Sequence, residues 1–379
     1  MITPNWIDRP DALAAGLSRW RRAGQAAAIA LDTEFVFERT FRPRLGLIQI
    51  AAGDEIALVD AVTLPDLRPL AELFAEEAGR KVVHSGSGDV PLLFRATGFR
   101  PRPLFDTQIA AAFVGLGPSL SYAALVRELF GVELPKHETR TDWIRRPLSA
   151  AQLRYAAEDV EHLVAAAEEL ERRLLALGRL DWVLEESAAL AELQPERAEP
   201  LTAWRRVRGL DRLPPPARAV ARALAAWREL EAERLDLARS FVLRDETLLA
   251  LARRSAITAD EAAELPGFEA RRHARHAANW VTALTAAHAA VDSGTAPPEP
   301  TTLPAREREI RRALDEGIAT IANRRAGELG LAPELLLSRR QRERAIAAWR
   351  ERGVPSLAEA IGGFRGRLLG KELDALAAI

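Results

Sequence analysis

The stretch Ala28 to Ala51, AIALDTEFVFERTFRPRLGLIQIA, reads as buried strand in which two acids interrupt an otherwise apolar run. A strand repeats every two residues, so Asp32 and Glu34 point to one face. Around it the hydrophobic pattern predicts a short amphipathic helix over residues 10–22. A second strand, Leu45 to Ala51, follows the Arg42-Pro43-Arg44 bend, and a third, Glu55 to Asp60, follows the Gly53-Asp54 turn. Three successive strands suggest an antiparallel start. A helix over Leu67 to Ala78 then leads to a strand over Lys81 to His84, after which Ser85-Gly-Ser-Gly-Asp89 opens a helix running to Ala96. Strand and helix now alternate, which predicts a mixed sheet covered by helices.

Helix signals continue down the chain. Asp106 reads as the cap of the next helix, and Ser119 or Ser121 can cap another that runs to Phe130 and stops at Gly131. Ser149-Ala-Ala-Gln152 has capping-box form and predicts one long helix to about Leu177. Pro195 to Pro200 and the proline-rich Ser293 to Pro304 read as linkers. They divide the chain into residues 1–194, 201–292 and 304–379, the last two almost wholly helical.

The 379 residues are 48% hydrophobic, enough for two or three domains with real cores. Cysteine is absent, which excludes disulfides and thiolate zinc sites and leaves oxygen or the six histidines to hold any metal. No window is apolar for the roughly 18 residues needed to span a bilayer, and the N-terminus carries no basic segment followed by an apolar one. The expectation is a cytoplasmic protein with no membrane partner. The net charge of -1 conceals an asymmetry: residues 1–200 carry 23 basic and 30 acidic side chains, whereas 201–293 and 294–379 each carry 15 and 12. Nearly all the basic groups are Arg, whose planar fork suits phosphate, although a high-GC genome writing Arg for Lys would look the same.

Two ionised carboxylates roughly 7 Å apart on a buried strand face repel each other and resist desolvation. A divalent cation would hold them, as would a salt bridge to Arg39, Arg42 or Arg44. Asp89 stands in the first turn of a helix just beyond a strand end, where it can complement the helix dipole or return towards Asp32. Tyr155 and Asp159 lie four apart and share a helix face. Alone each of these is commonplace.

Together, D-x-E at 32 and 34, Asp89, and Tyr155 with Asp159 resemble the DEDD 3′-to-5′ exonucleases. Tyr four residues before the last acid is similar to the DEDDy branch; the other branch has His five residues before it, where this chain has Arg154. LDTEF, RLGLIQIA, the His84 to Asp89 segment, FDTQIAAAF, TRTDW and RPLSAAQLRYAAEDV resemble the bacterial ribonuclease D family in order and spacing over about residues 1–370. One departure is Gly88, where that family often has an acid. The resemblance implies a ribonuclease H-like α/β domain, a mixed sheet flanked by helices, over 1–194. It also implies two divalent cations, Mg or Mn: Asp32 bridging both, Glu34 and Asp159 completing the first, and Asp89 holding the second. Tyr155 would orient the attacking water, and Thr33, Phe35, His84 and Arg140 would line the substrate groove, with an internally satisfied strand-end histidine as the other reading of His84.

In the helical half, Trp204, the Leu210 to Pro216 bend, WRELEAERLD, ARSFVLRDETLLALARR and LPGF resemble the HRDC module in that order. At 304–379, PELLLSRR parallels ARSFVLRD and IGGFRGRLL echoes LPGF, as in a second, divergent all-α HRDC bundle. The two modules would bind RNA backbone or serve as packing partners. The expected function is a monomeric exoribonuclease acting on RNA 3′ ends, transfer RNA precursors among them, and releasing 5′-monophosphates. The alternatives are a DEDDy exonuclease acting on DNA and a catalytically silent RNA-binding scaffold, against which the intact set of motif residues argues.

Overall fold

The computed structural model describes residues 3–75, 78–135, 141–299 and 303–377. Six strands among them form one mixed sheet: β1 (Asn5–Ile7), β2 (Ala28–Val36), β3 (Arg44–Ala52), β4 (Glu55–Asp60), β5 (Arg80–Val83) and β6 (Leu104–Asp106), in spatial order β1-β4-β3-β2-β5-β6. β3 and β4 pair antiparallel; β1 with β4, β2 with β5, and β5 with β6 pair parallel. The three-residue β1 and β6 are too short to show an alternating pattern and escape the sequence reading. Helices α1 (Pro10–Ala26), α2 (Ala71–Phe74), α3 (Asp89–Thr97), α4 (Thr107–Val114), α5 (Tyr122–Phe130), α6 (Ala150–Glu161), α7 (Leu163–Leu177) and α8 (Leu180–Ala191) complete this part.

Alternation along β2 separates the two faces of the sheet. Ile29 and Leu31 join a core with Leu13, Leu17 and Trp20 of α1, while Ala28 and Ala30 join a core with Phe105, Ala157, Val160 and Leu163. The expected single helix to Leu177 is divided at His162, whose backbone leaves the helical region at φ -106°, ψ 0°. The His162 amide donates to Val160 O and to the phenol oxygen of Tyr122, the latter at 3.1 Å. Periodicity runs across such a break unchanged and cannot show it.

Contacts group the chain into two compact units. The first joins residues 1–34 and 45–195 with 303–379; the second joins 35–44 with 196–302. In the first, α15 (Ala305–Leu329), α16 (Pro333–Leu337), α17 (Arg339–Arg352), α18 (Leu357–Ile361) and α19 (Gly363–Ala377) share a core with the sheet domain: Ala326, Leu331, Leu336 and Phe364 are buried in the cluster that holds Phe113 and Val183. The Phe364 ring stacks on Trp182 at 5.0 Å and meets Phe113 edge-on at 5.6 Å. Its amide donates to Glu185 at 2.8 Å, and Arg365 pairs with Glu186.

The second unit is built from α9 (Pro215–Leu235), α10 (Arg239–Val242), α11 (Asp245–Leu251), α12 (Ala259–Ala263), α13 (Ala270–His273) and α14 (Ala277–Asp292) around Leu224, Leu243 and Trp280. The chain enters it directly after Glu34: Phe41 is buried in its core, Arg239 lies 4.6 Å over the Phe41 ring, and Arg42 pairs with Glu233.

Because Phe364 is buried in the core of the sheet domain, Phe364→Ala should lower the stability of that domain by about 3 kcal/mol. Calorimetry should show its melting transition shifted down. An unmoved transition would mean that residues 303–377 are merely tethered.

Candidate active site

Asp32 and Glu34 continue the even-numbered face of β2 towards α6, which carries Tyr155 and Asp159. α6 begins at Ser149 with a complete capping box, Ser149 Oγ accepting from Gln152 N and Gln152 Oε1 from Ser149 N. Carboxylate oxygens of Asp32, Glu34 and Asp159 lie within 4.8 Å of one another. Asp89 arrives from the other side, because β5 runs parallel to β2 and its carboxyl end therefore lies at the same edge of the sheet. Asp89 is 7% exposed and accepts a hydrogen bond from Thr33 Oγ1.

The charges that act on Asp32 are those of Asp89, Asp159 and Glu34. Burial first and this repulsion second push Asp32 well above the ordinary carboxylate range. Burial, then Asp159 and Asp89, raise Glu34 to about 9, and burial raises Asp159 to about 7 and Asp89 to about 6. Hydrogen bonds from Tyr155 to Asp159 and from Thr33 to Asp89 oppose the rise. Arg42, one of the arginines that could have neutralised the pair, is engaged with Glu233 in the second unit. Three converging carboxylates that repel each other fit a hard divalent cation, whose preferred ligands are oxygens.

Tyr155 is also raised, by burial and then by Asp159, so it remains a neutral phenol that donates to Asp159. Behind it sits Trp143, ring centroids 6.1 Å apart and 1% exposed. The Trp143 segment is clamped to the sheet: Arg146 donates to Asp60 at 2.9 Å and to Gly46 O at 2.7 Å, and Gln152 Nε2 donates to Thr141 Oγ1 at 3.1 Å. A Cβ at Gly46 would lie 2.4 Å from Trp143 O, so only glycine permits this approach.

The turn before Asp89 is held by Asp106, which caps α4 as expected by accepting from Gln108 N and Ile109 N. Its carboxylate also accepts from Ser85 N at 3.2 Å and Gly86 N at 2.8 Å. Ser85 adopts φ +59°, a costly conformation for a residue with a Cβ, and these bonds hold it there. Gly88 has ordinary helical backbone, φ -82°, ψ -42°. Asp106's second task leaves no motif of its own and escapes sequence reading.

The groove residues fall out unevenly. Thr33 is 5% exposed and its hydroxyl positions Asp89. His84 Nδ1 lies 2.9 Å from Thr107 Oγ1 and Nε2 lies 3.0 Å from Leu120 O, with the Tyr122 ring 5.7 Å away. Both ring nitrogens are thus satisfied internally, and burial lowers its pKa. Phe35 is half-buried beside Phe37 at 6.1 Å and begins the segment that belongs to the second unit. Arg140 lies outside the described residues.

Residues 4–175 match the 3′-5′ exonuclease family and residues 217–284 the HRDC domain family. Ribonuclease D of Pseudomonas paraeruginosa is 36% identical over 371 residues, covering 97% of this chain and 96% of the relative. The chain belongs to the ribonuclease D family. Ribonuclease D of Escherichia coli K12 is 34% identical over 354 residues, 92% of each chain. The crystal structure of Escherichia coli RNase D superposes with TM-score 0.81 at 33% identity over 99% of this chain and 98% of that one. Family membership makes the chain a 3′-to-5′ exoribonuclease. A Bifidobacterium adolescentis protein with TM-score 0.77 and 21% identity, over 100% and 97% of the chains, shares the fold.

Protons held by Glu34 to about 9 and by Asp159 to about 7 are released from an unfolded chain near 4. The folded state therefore binds more protons across that window, and metal-free stability should fall as pH rises from about 4 to about 9. Melting curves in chelator at pH 5, 7 and 9 should show this decline, Mg²⁺ should restore stability most at the highest pH, and Asp32→Asn should flatten the profile. A pH-independent melting temperature in chelator would contradict the crowding of charge.

Proposed function

We propose that the cluster works as a DEDDy two-metal site that removes nucleotides one at a time from RNA 3′ ends as 5′-monophosphates. The convergence of Asp32, Glu34 and Asp159 within 4.8 Å, with Asp89 entering from the parallel neighbour strand, carries this reading. Asp32 would bridge the two ions, Glu34 and Asp159 complete the first site, and Asp89 hold the second through water. Two divalent cations supply an activated water near pH 7 and stabilisation of the departing 3′ oxygen. Glu34 accepts from the terminal 3′-hydroxyl, which selects chain ends. Tyr155, held by Asp159 and backed by Trp143, orients the attacking water; as a neutral phenol it is no general base.

Residues 1–194 form the nuclease domain, 201–292 a first HRDC module and 304–379 a second, divergent one. The helix order of the last part supports the duplication: the sequence of a long helix, a short turn of helix and three more in α15 to α19 corresponds to that of α9, α10, α11, α12 and α14, with the four-residue α13 as an addition in the first copy. The substrates are structured RNAs such as transfer RNA precursors, by analogy with relatives that bear the ribonuclease D name. The chain acts in the cytoplasm as a monomer. Among the described residues no helix is long and apolar enough to cross a membrane.

The decisive assay uses 5′-labelled RNA and DNA with 3′ tails, with Mg²⁺, Mn²⁺ or chelator. Stepwise shortening of RNA only with metal is expected. Preferential shortening of DNA would move the substrate class, and no shortening under any condition would leave an RNA-binding scaffold. Asp159→Ala should abolish the ladder with the fold intact, while Tyr155→Phe should slow it by roughly 10²-fold through lost positioning. Wild-type rates in Asp159→Ala would refute the site.

A further inference from the structure

Within the first unit, a crevice of about 320 Å³ opens where α4 of the nuclease domain faces the N-terminal end of α17. Its walls include Gln108, Glu334, Arg340, Arg344 and Arg365. α17 begins RRQRER, with no acid in its first turn. The amino end of a helix carries partial positive charge, so clustering arginines there raises the energy of the free protein and suits an anion.

Neighbouring acids do not remove this excess. Arg339 pairs with Glu343, and Arg342 with Asp315 and the Leu337 carbonyl. Arg365 is 9% exposed; it neutralises Glu186 and donates to Leu335 O at 2.8 Å, while its buried Nε has no hydrogen-bond partner among the described residues. Arg340 and Arg344, one helical turn apart and both exposed, form no ion pair among the described residues, against the single remaining acid Glu334 in the lining. The crevice also adjoins the catalytic edge. Gln108 Nε2 donates to Leu120 O at 3.1 Å, the carbonyl that meets His84 Nε2 at the turn leading to Asp89.

We propose that this crevice binds the phosphodiester backbone of the RNA strand upstream of the scissile bond, with Arg340 and Arg344 as the phosphate donors. The proposal rests on the exoribonuclease reading above for its substrate. It gives the last helical segment a task beyond packing: the core shared through Phe364 sets α17 against α4, and Arg340 and Arg344 then grip the strand whose 3′ end lies among the carboxylates. Arg serves better than Lys here because its fork meets two phosphate oxygens at once.

The test compares Arg340→Ala/Arg344→Ala with the parent chain and with a charge-matched control, Arg312→Ala/Arg339→Ala, whose exposed arginines pair along their own helices. Affinity for a labelled single-stranded RNA of roughly 20 nucleotides is read by fluorescence anisotropy in chelator across a salt series. Each phosphate contact on a single strand contributes about 0.7 to the slope of log K against log salt, so the crevice variant should lose about 1.4 in slope and the control should keep the parental value. In Mg²⁺, the KM for the same RNA should rise at least several-fold, with kcat/KM for a ribodinucleotide, which ends before the crevice, unchanged. A parental salt slope in the crevice variant, or an equal loss in the control, overturns the proposal. Since the binding arm needs no turnover, failure of the parent chain to hydrolyse RNA would refute the exoribonuclease reading separately and leave the crevice judged by its slope.

Discussion

Mutual repulsion among Asp32, Glu34, Asp89 and Asp159 is the constraint around which the first unit is arranged. These groups come from β2, the start of α3 and α6, and they meet at one edge of the sheet, Asp89 buried and Asp32, Glu34 and Asp159 half-buried. A folded chain holds like charges together only if the rest of the structure opposes their separation, or if cations replace the lost solvation. The protein does the first through rigid supports. Thr33 and Asp106 hold Asp89 from two directions, Tyr155 bonds Asp159, and Trp143 backs Tyr155 from a segment pinned by Arg146. Divalent cations would supply the second, and they would oppose the burial and mutual repulsion that raise the carboxyl pKa values.

The supports themselves are ordinary chemistry used twice. Asp106 is a helix cap whose spare lone pairs hold the Ser85 backbone in a left-handed conformation. Thr33 faces away from the metal-facing side of β2, yet its hydroxyl reaches Asp89. Arg146 satisfies the carbonyl of Gly46 in the one place where a side chain would prevent contact with Trp143. Removing any of these leaves every carboxylate in place but frees its direction, and directional error is what metal-assisted hydrolysis tolerates least.

The helical half is divided between the two units in a way that linkers do not suggest. Residues 303–377 bury Phe364 and Leu336 in the same core as α4 and α8, so this segment is part of the nuclease body as well as a candidate binding module. Residues 196–299 build their own core, which also takes in Phe41, seven positions after Glu34.

Much of this was legible from residue order. The period of two in Ala28 to Val36 placed Asp32 and Glu34 on one face, the capping box at Ser149 started α6, and the four-residue spacing put Tyr155 beside Asp159, because these patterns depend only on local geometry. Local rules stop where contacts join distant positions. The break at His162, the second task of Asp106, the engagement of Arg42 by Glu233 and the burial of Phe364 against Phe113 each involve partners about 20 to 250 residues away, and the tertiary fold alone selected them. The chain order by itself named the acids and their strand and helix; only the packed structure decided which way each points and what keeps it there, since direction is set by neighbours that sequence spacing does not encode.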